Sequence, residues 1–89
     1  MHGRLFSLAR YSSLPQGMVG QKAACVVSKK VSLKAVVRNT IERRCREAIK
    51  KNAKNMHKDT VYIFHAKKEA ASALFSDINS DVEVLLNKH

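Results

Sequence analysis

Val27-Ser28-Lys29-Lys30-Val31-Ser32-Leu33-Lys34-Ala35-Val36-Val37-Arg38-Asn39-Thr40-Ile41-Glu42-Arg43-Arg44-Cys45-Arg46-Glu47-Ala48 is where the chain changes character, from small and β-branched residues to a densely basic stretch with helical spacing. The residues leading into it, Lys22-Ala23-Ala24-Cys25-Val26-Val27-Ser28, suit a strand. From about Leu33 to Asn55 the spacing is that of a helix. At roughly 100° per residue, Leu33, Val37, Ile41 and Ala48 form one apolar stripe with Cys45 at its margin, while Asn39, Arg43, Arg46 and Lys50 fall on a separate face. Lys34 and Arg38 border the stripe near its start. The pattern predicts a helix with one side for a core and another for solvent or a ligand.

Arginine and lysine are good helix formers, and a charged helix face is commonly just a solvated one. Here, however, only Glu42 and Glu47 oppose ten basic residues between Lys29 and Lys54. Like charges at i, i+4 repel, so an anionic ligand is expected on that face. The distribution along the chain agrees. Residues 1–41 carry seven Lys and Arg and no Asp or Glu, residues 42–58 seven against two, and residues 59–89 three against five. The formal net charge of +10 is therefore an excess of +12 up to residue 58 and a mildly acidic remainder. Such asymmetry points to one surface turned toward a polyanion, with nucleic acid the leading partner.

Toward the front, Arg4-Leu5-Phe6-Ser7-Leu8-Ala9-Arg10-Tyr11 alternates, with Phe6 and Leu8 on one parity, and gives way to a turn or loop at Ser12-Ser13-Leu14-Pro15-Gln16-Gly17. Residues 1–15 hold arginine and serine but no acid, so an organellar transit peptide is the alternative for this segment. Beyond the helix, Asp59-Thr60-Val61-Tyr62-Ile63-Phe64-His65-Ala66 is apolar on both faces and predicts an interior strand, with Lys67 and Lys68 after it. Ser72 to Asn87 predicts a final helix, with Leu74, Ile78, Val82, Leu85 and Leu86 inward and Asp77, Asp81 and Glu83 outward. Strand, strand, helix, strand, helix over residues 1–89 predicts one domain, an α/β (α+β) two-layer sandwich with both helices on one sheet. The chain is too short for a doubly wound nucleotide-binding fold.

Cys25 and Cys45 follow no metal-ligand spacing, and each sits in the apolar pattern of its own segment. Reduced core thiols are expected, with a disulfide reserved for an exported chain. His2, His57, His65 and His89 share no spacing, which leaves His65 a structural or surface residue and gives no metal site. No Gly-x-Ser-x-Gly turn or Gly-rich phosphate loop is present. No apolar run approaches the roughly 20 residues of a membrane span. The sequence thus predicts no catalytic residue, no cofactor or metal bound by the protein alone, and no membrane partner. A DNA-binding helix-turn-helix is disfavoured, because no short second helix stands at the right distance from the basic one.

An apolar strand ending in Val27-Ser28-Lys29-Lys30, then Lys34-Ala35-Val36-Val37-Arg38-Asn39, then Arg43-Arg44-Cys45-Arg46-Glu47 on a helix is a specific combination. It resembles the protein component of bacterial-type ribonuclease P. The likeness continues with weaker detail through Asp59, the third strand and the final helix, and covers about residues 4–88. Two positions depart from the family pattern, which has basic residues where Thr40 and Glu42 stand. The family pattern also opens with a helix and lead-in that pack beside the sheet. This sequence starts at the strand that follows, as a compact variant, a fragment or a late-started reading frame would.

The resemblance implies a fold like the second domain of ribosomal protein S5, with a left-handed β-α-β crossover. It implies that an RNA subunit performs the chemistry, with Mg2+ at its phosphates, while the protein helps it remove the 5′ leader of precursor tRNA. The partners implied are ribonuclease P RNA and precursor tRNA, in the cytoplasm or, with a transit peptide, in an organelle. Ser28, Lys29, Lys30, Lys34, Arg38, Asn39, Arg43, Arg44, Arg46 and Lys50 are the residues expected at RNA. Arginine forks suit paired phosphate oxygens, and lysine supplies a less directional charge. In the family the sheet's open face holds the single-stranded leader, where aromatic stacking and cations act together. Phe6 is the candidate platform, with a core position as its alternative; Tyr62 and Phe64 are expected in the core. The competing function is a small ribosomal or chaperone-like RNA-binding protein with no role in cleavage.

Overall fold

Val61-Tyr62-Ile63-Phe64 offers no polar parity, and the fold uses it as the middle of a sheet. A computed structural model describes residues 1–11, 23–56 and 60–87. In these the elements follow the expected order: β1 (Phe6–Tyr11), β2 (Ala23–Val26), α1 (Ala35–Lys51), β3 (Val61–Ala66) and α2 (Phe75–Asn87), with short 3-10 turns at Ala53–Asn55 and Lys68–Ser72. The expectations for the turn at residues 12–17 and for Lys22, His57, Asp59 and His89 lie outside the described residues.

β3 pairs antiparallel with β1 and parallel with β2, so the sheet order is β1-β3-β2. The parallel pair is joined through α1, as a parallel connection requires. Registered neighbours share a face: Leu8, Phe64 and Cys25 stand side by side, as do Phe6 with Ala66 and Tyr62 with Ala23. Against this face α1 buries Ile41, Cys45, Ala48 and Ile49, and α2 buries Ile78, Val82, Leu85 and Leu86. Tyr62 and Phe64 are core residues, as expected. The rings of Phe6 and Phe64 meet edge to face, their centroids 6.2 Å apart at 88°.

Two leucines expected in the core are exposed, Leu33 at 84% and Leu74 at 68%. Each precedes its helix rather than belonging to it, so the 3.6-residue phase that selects inward residues does not reach it. The helix limits have local causes. α1 ends at Asn52, whose buried side chain donates from Nδ2 to the Ala48 carbonyl (2.8 Å) and to Asn79 Oδ1 (3.2 Å). α2 starts after Leu74, whose N–H donates to the Asp77 carboxylate at 3.4 Å, one half of a capping box.

Asp81, expected to point outward, is only 8% exposed. Its carboxylate accepts backbone N–H bonds from Arg4 (2.9 Å), Leu5 (3.1 Å) and Phe6 (3.0 Å). Three donors in place of water make a buried carboxylate tolerable. The turn that offers them is closed by the Gly3 N–H on the Phe6 carbonyl (2.7 Å), and Lys67 Nζ holds the Gly3 carbonyl at 2.7 Å. A Cβ on residue 3 would stand 2.5 Å from Asp81 Oδ2, so glycine is what lets the backbone approach so closely.

Cys25 and Cys45 form a disulfide, contrary to the reduced thiols expected. Both lie in apolar patterns, as read. The parity of β2 and the phase of α1 then aim them at each other across the layer between helix and sheet, with Cα atoms 6.4 Å apart, inside the usual bridging range. A sequence separation of 20 residues carries no hint of that meeting.

Candidate nucleic-acid interface

The basic segment divides into two sets of side chains. Asn39, Arg43, Arg46 and Lys50 are exposed along the outer face of α1, where the helical phase places them. Ser28, Lys29, Lys30 and Lys34 are exposed in the loop that leads into the helix, which turns through a Val31 N–H bond to the Ser28 carbonyl (3.0 Å). Arg38 and Arg44 are less exposed and are engaged within the protein. Arg38 Nη1 donates to the carbonyls of Ser32 (2.9 Å) and Leu33 (3.0 Å), bracing the loop. Arg44 Nη1 donates to the Ala73 carbonyl at 3.3 Å, bracing α1 against the approach to α2. A guanidinium has five N–H donors, so each arginine retains others for a ligand.

Lys34 occupies the N-cap of α1 without a side-chain capping bond, and the first turn has no acid. The positive end of the helix dipole therefore adds to the field of Lys29, Lys30 and Lys34 instead of being offset. First-turn amides beside three ammonium groups suit phosphate oxygens. At the far end Lys50 and Lys51 complement the dipole, and Lys51 Nζ stands 4.9 Å from the Phe75 ring centroid. Of the two positions that depart from the family pattern, Thr40 donates its hydroxyl hydrogen to the Val36 carbonyl at 2.9 Å. Glu42 is half-buried on the flank of α1.

The sheet face turned away from the helices carries Ser7, Ala9 and Tyr11 on β1, Ala24 and Val26 on β2, and Val61, Ile63 and His65 on β3. Val61 is fully buried and the others are not; Tyr11 is 49% exposed and Val26 42%. Phe6, the aromatic singled out for stacking, has the opposite parity and is fully buried, so its core alternative holds. Tyr11 is the aromatic that the sequence reading passed over. Its signal was available, since an odd position in a strand whose even positions face the core must face outward. His65 is a surface residue on the same open face.

Among the described residues no group of three or more His, Cys, Asp or Glu could hold a metal ion, and no helix is long and apolar enough to cross a membrane. A cavity of about 350 Å³ lies away from the basic face, between the N-terminal turn and α2, lined by residues including His2, Arg4, Asp77 and Ser80.

No curated protein matches the sequence. Among solved structures, the ribonuclease P protein of Thermotoga maritima matches with a TM-score of 0.82 and 20% identity, over 100% of this chain and 81% of that one. The ribonuclease P protein of Staphylococcus aureus matches with a TM-score of 0.76 and 24% identity, over 97% of this chain and 75% of that one. At such identities these likenesses establish a shared fold, the mixed three-stranded sheet with its β-β-α-β-α order. A family model described as Ribonuclease P matches residues 4–89, a span that includes the basic loop, α1 and every strand. By that match the chain belongs to the protein-component family of bacterial ribonuclease P.

Proposed function

We propose that this ribonuclease P protein subunit holds the catalytic RNA on the outer face of α1 and its lead-in loop, and the 5′ leader of precursor tRNA on the open face of the sheet. The observation that carries this reading is the sorting of the basic side chains. Lys29, Lys30, Lys34, Arg43, Arg46 and Lys50 stand in solvent on one loop-and-helix unit, while Arg38 and Arg44 brace that unit from behind. β2 links the two surfaces, since Val26 lies on the open face and Ser28-Lys29-Lys30 follow within four residues. A leader crossing the sheet would thus run directly beside the RNA-bound loop. His65 and its registered partner Ser7 supply hydrogen-bonding groups at the end of that face nearest the loop, and Tyr11 supplies a stacking surface at the other end.

The RNA subunit supplies the chemistry of phosphodiester cleavage, with Mg2+ at its phosphates. The protein contributes affinity and position. Neutralising phosphates where the two RNAs meet lowers the need for divalent ions, so the effect of the protein is greatest when magnesium is scarce. The test is cleavage of a leader-bearing precursor tRNA by a bacterial ribonuclease P RNA at low magnesium, with and without the protein. Stimulation is the expected result. Tight RNA binding with no stimulation would instead favour the general RNA-binding alternative.

A further inference from the structure

Leu33 and Val36 are 84% and 77% exposed, more than any other large apolar side chain described. A lone exposed aliphatic residue requires no explanation. These two lie within four residues of one another at the mouth of α1, and their backbone is pinned. Arg38 holds the carbonyls of Ser32 and Leu33, Ser32 Oγ accepts the Lys34 N–H at 3.2 Å, and Thr40 holds the Val36 carbonyl. Leu33 therefore cannot fold back toward the core without breaking the bonds that shape the loop. Preorganised exposure of this kind lowers the ordering cost of an interaction made later.

The surroundings specify the occupant. No Asp or Glu occurs between Ala23 and Ile41, and Lys29, Lys30, Lys34, Asn39 and Arg43 are exposed on the same loop and helix face. Whatever covers the pair must bring apolar surface and negative charge together. A nucleotide does both, through its base and its phosphate. Bases in duplex RNA keep their faces in the stack, so the base must come from a loop, a bulge or an end. We infer that Leu33 and Val36 form an apolar platform for an unstacked nucleobase of ribonuclease P RNA, with the flanking lysines on its phosphates. This rests on the RNA-binding reading of α1.

Binding of a bacterial ribonuclease P RNA, titrated against salt, separates the two ideas. The double variant Leu33→Ser with Val36→Thr removes no charge, so it is expected to bind about tenfold more weakly at every salt concentration with an unchanged salt slope. Arg43→Ala with Arg46→Ala is expected to flatten the slope by roughly one for each phosphate that is no longer neutralised. Thermal midpoints of the apolar variant should match the wild type, because neither side chain is packed. An apolar variant that binds as tightly as the wild type overturns the platform alone, and leaves the pair to a protein partner with an acidic rim. A changed slope in that variant also overturns it, because the effect would then pass through the lysines. A wild type that does not bind the RNA overturns the platform together with the reading beneath it.

Discussion

Asp81 fastens the first turn of the chain to its last helix through three backbone donors, across 75 to 77 residues of sequence. Asparagine in its place would keep the shape but lose the charge and one acceptor oxygen, stranding amides in a buried site. Asp81→Asn is expected to cost about 1–3 kcal/mol, read as a lower urea midpoint at constant m. An unchanged midpoint would mean that water serves these amides equally well. Nothing in the sequence marks this role. Asp81 lies four residues after Asp77 and two before Glu83, as a solvent-facing acid would, and its partners are backbone groups that have no side-chain signature. The arginines of α1 pose a similar difficulty. Arg38 at the border of the apolar stripe and Arg43 on the outer face were both expected at RNA, yet one braces a loop and the other stands in solvent, and the carbonyls that engage Arg38 have no mark in the sequence.

Strand parity decides which aromatic can meet a nucleobase. Phe6 and Tyr11 lie on one strand but on opposite faces, one sealed in the core and the other open. Tyr11→Ala is therefore expected to weaken binding of a leader-bearing precursor tRNA by about 1–3 kcal/mol and to leave binding of leaderless tRNA unchanged. Equal losses for both substrates would remove Tyr11 from the leader path. The interiors of the elements were legible because periodicity is a property of several residues at once. Ile41, Ala48, Ile78, Val82, Leu85 and Leu86 all point inward as their spacing indicates. The ends were not, because helix termini answer to single bonds such as Asn52 on the Ala48 carbonyl and Leu74 on Asp77. Leu33 and Leu74 were misplaced for that reason.

The fold and family were legible in the order of elements and in one dense motif, whereas the covalent link between β2 and α1 was not. The Cys25–Cys45 bridge closes a ring around the whole basic loop and the first half of α1, with its ends 20 residues apart in sequence. In the chain-entropy picture a ring of this size stabilises the folded state by about 3 kcal/mol. Denaturation with and without a thiol reductant, alongside the Cys25→Ser and Cys45→Ser double variant, should reveal a loss of that order. Identical curves would show that the bridge does not constrain the chain. The topology has a further consequence, in time. β3 lies between two earlier strands that are not paired with each other, so among the described residues the three-stranded sheet cannot begin until residues 61–66 have been made. Asp81 comes later still. On the proposed reading, a nascent chain displays its polycationic segment before the sheet that positions it exists, and would meet RNA at first as an indiscriminate polyelectrolyte. Discrimination between one RNA and another would then arise only once β3 and α2 have left the ribosome.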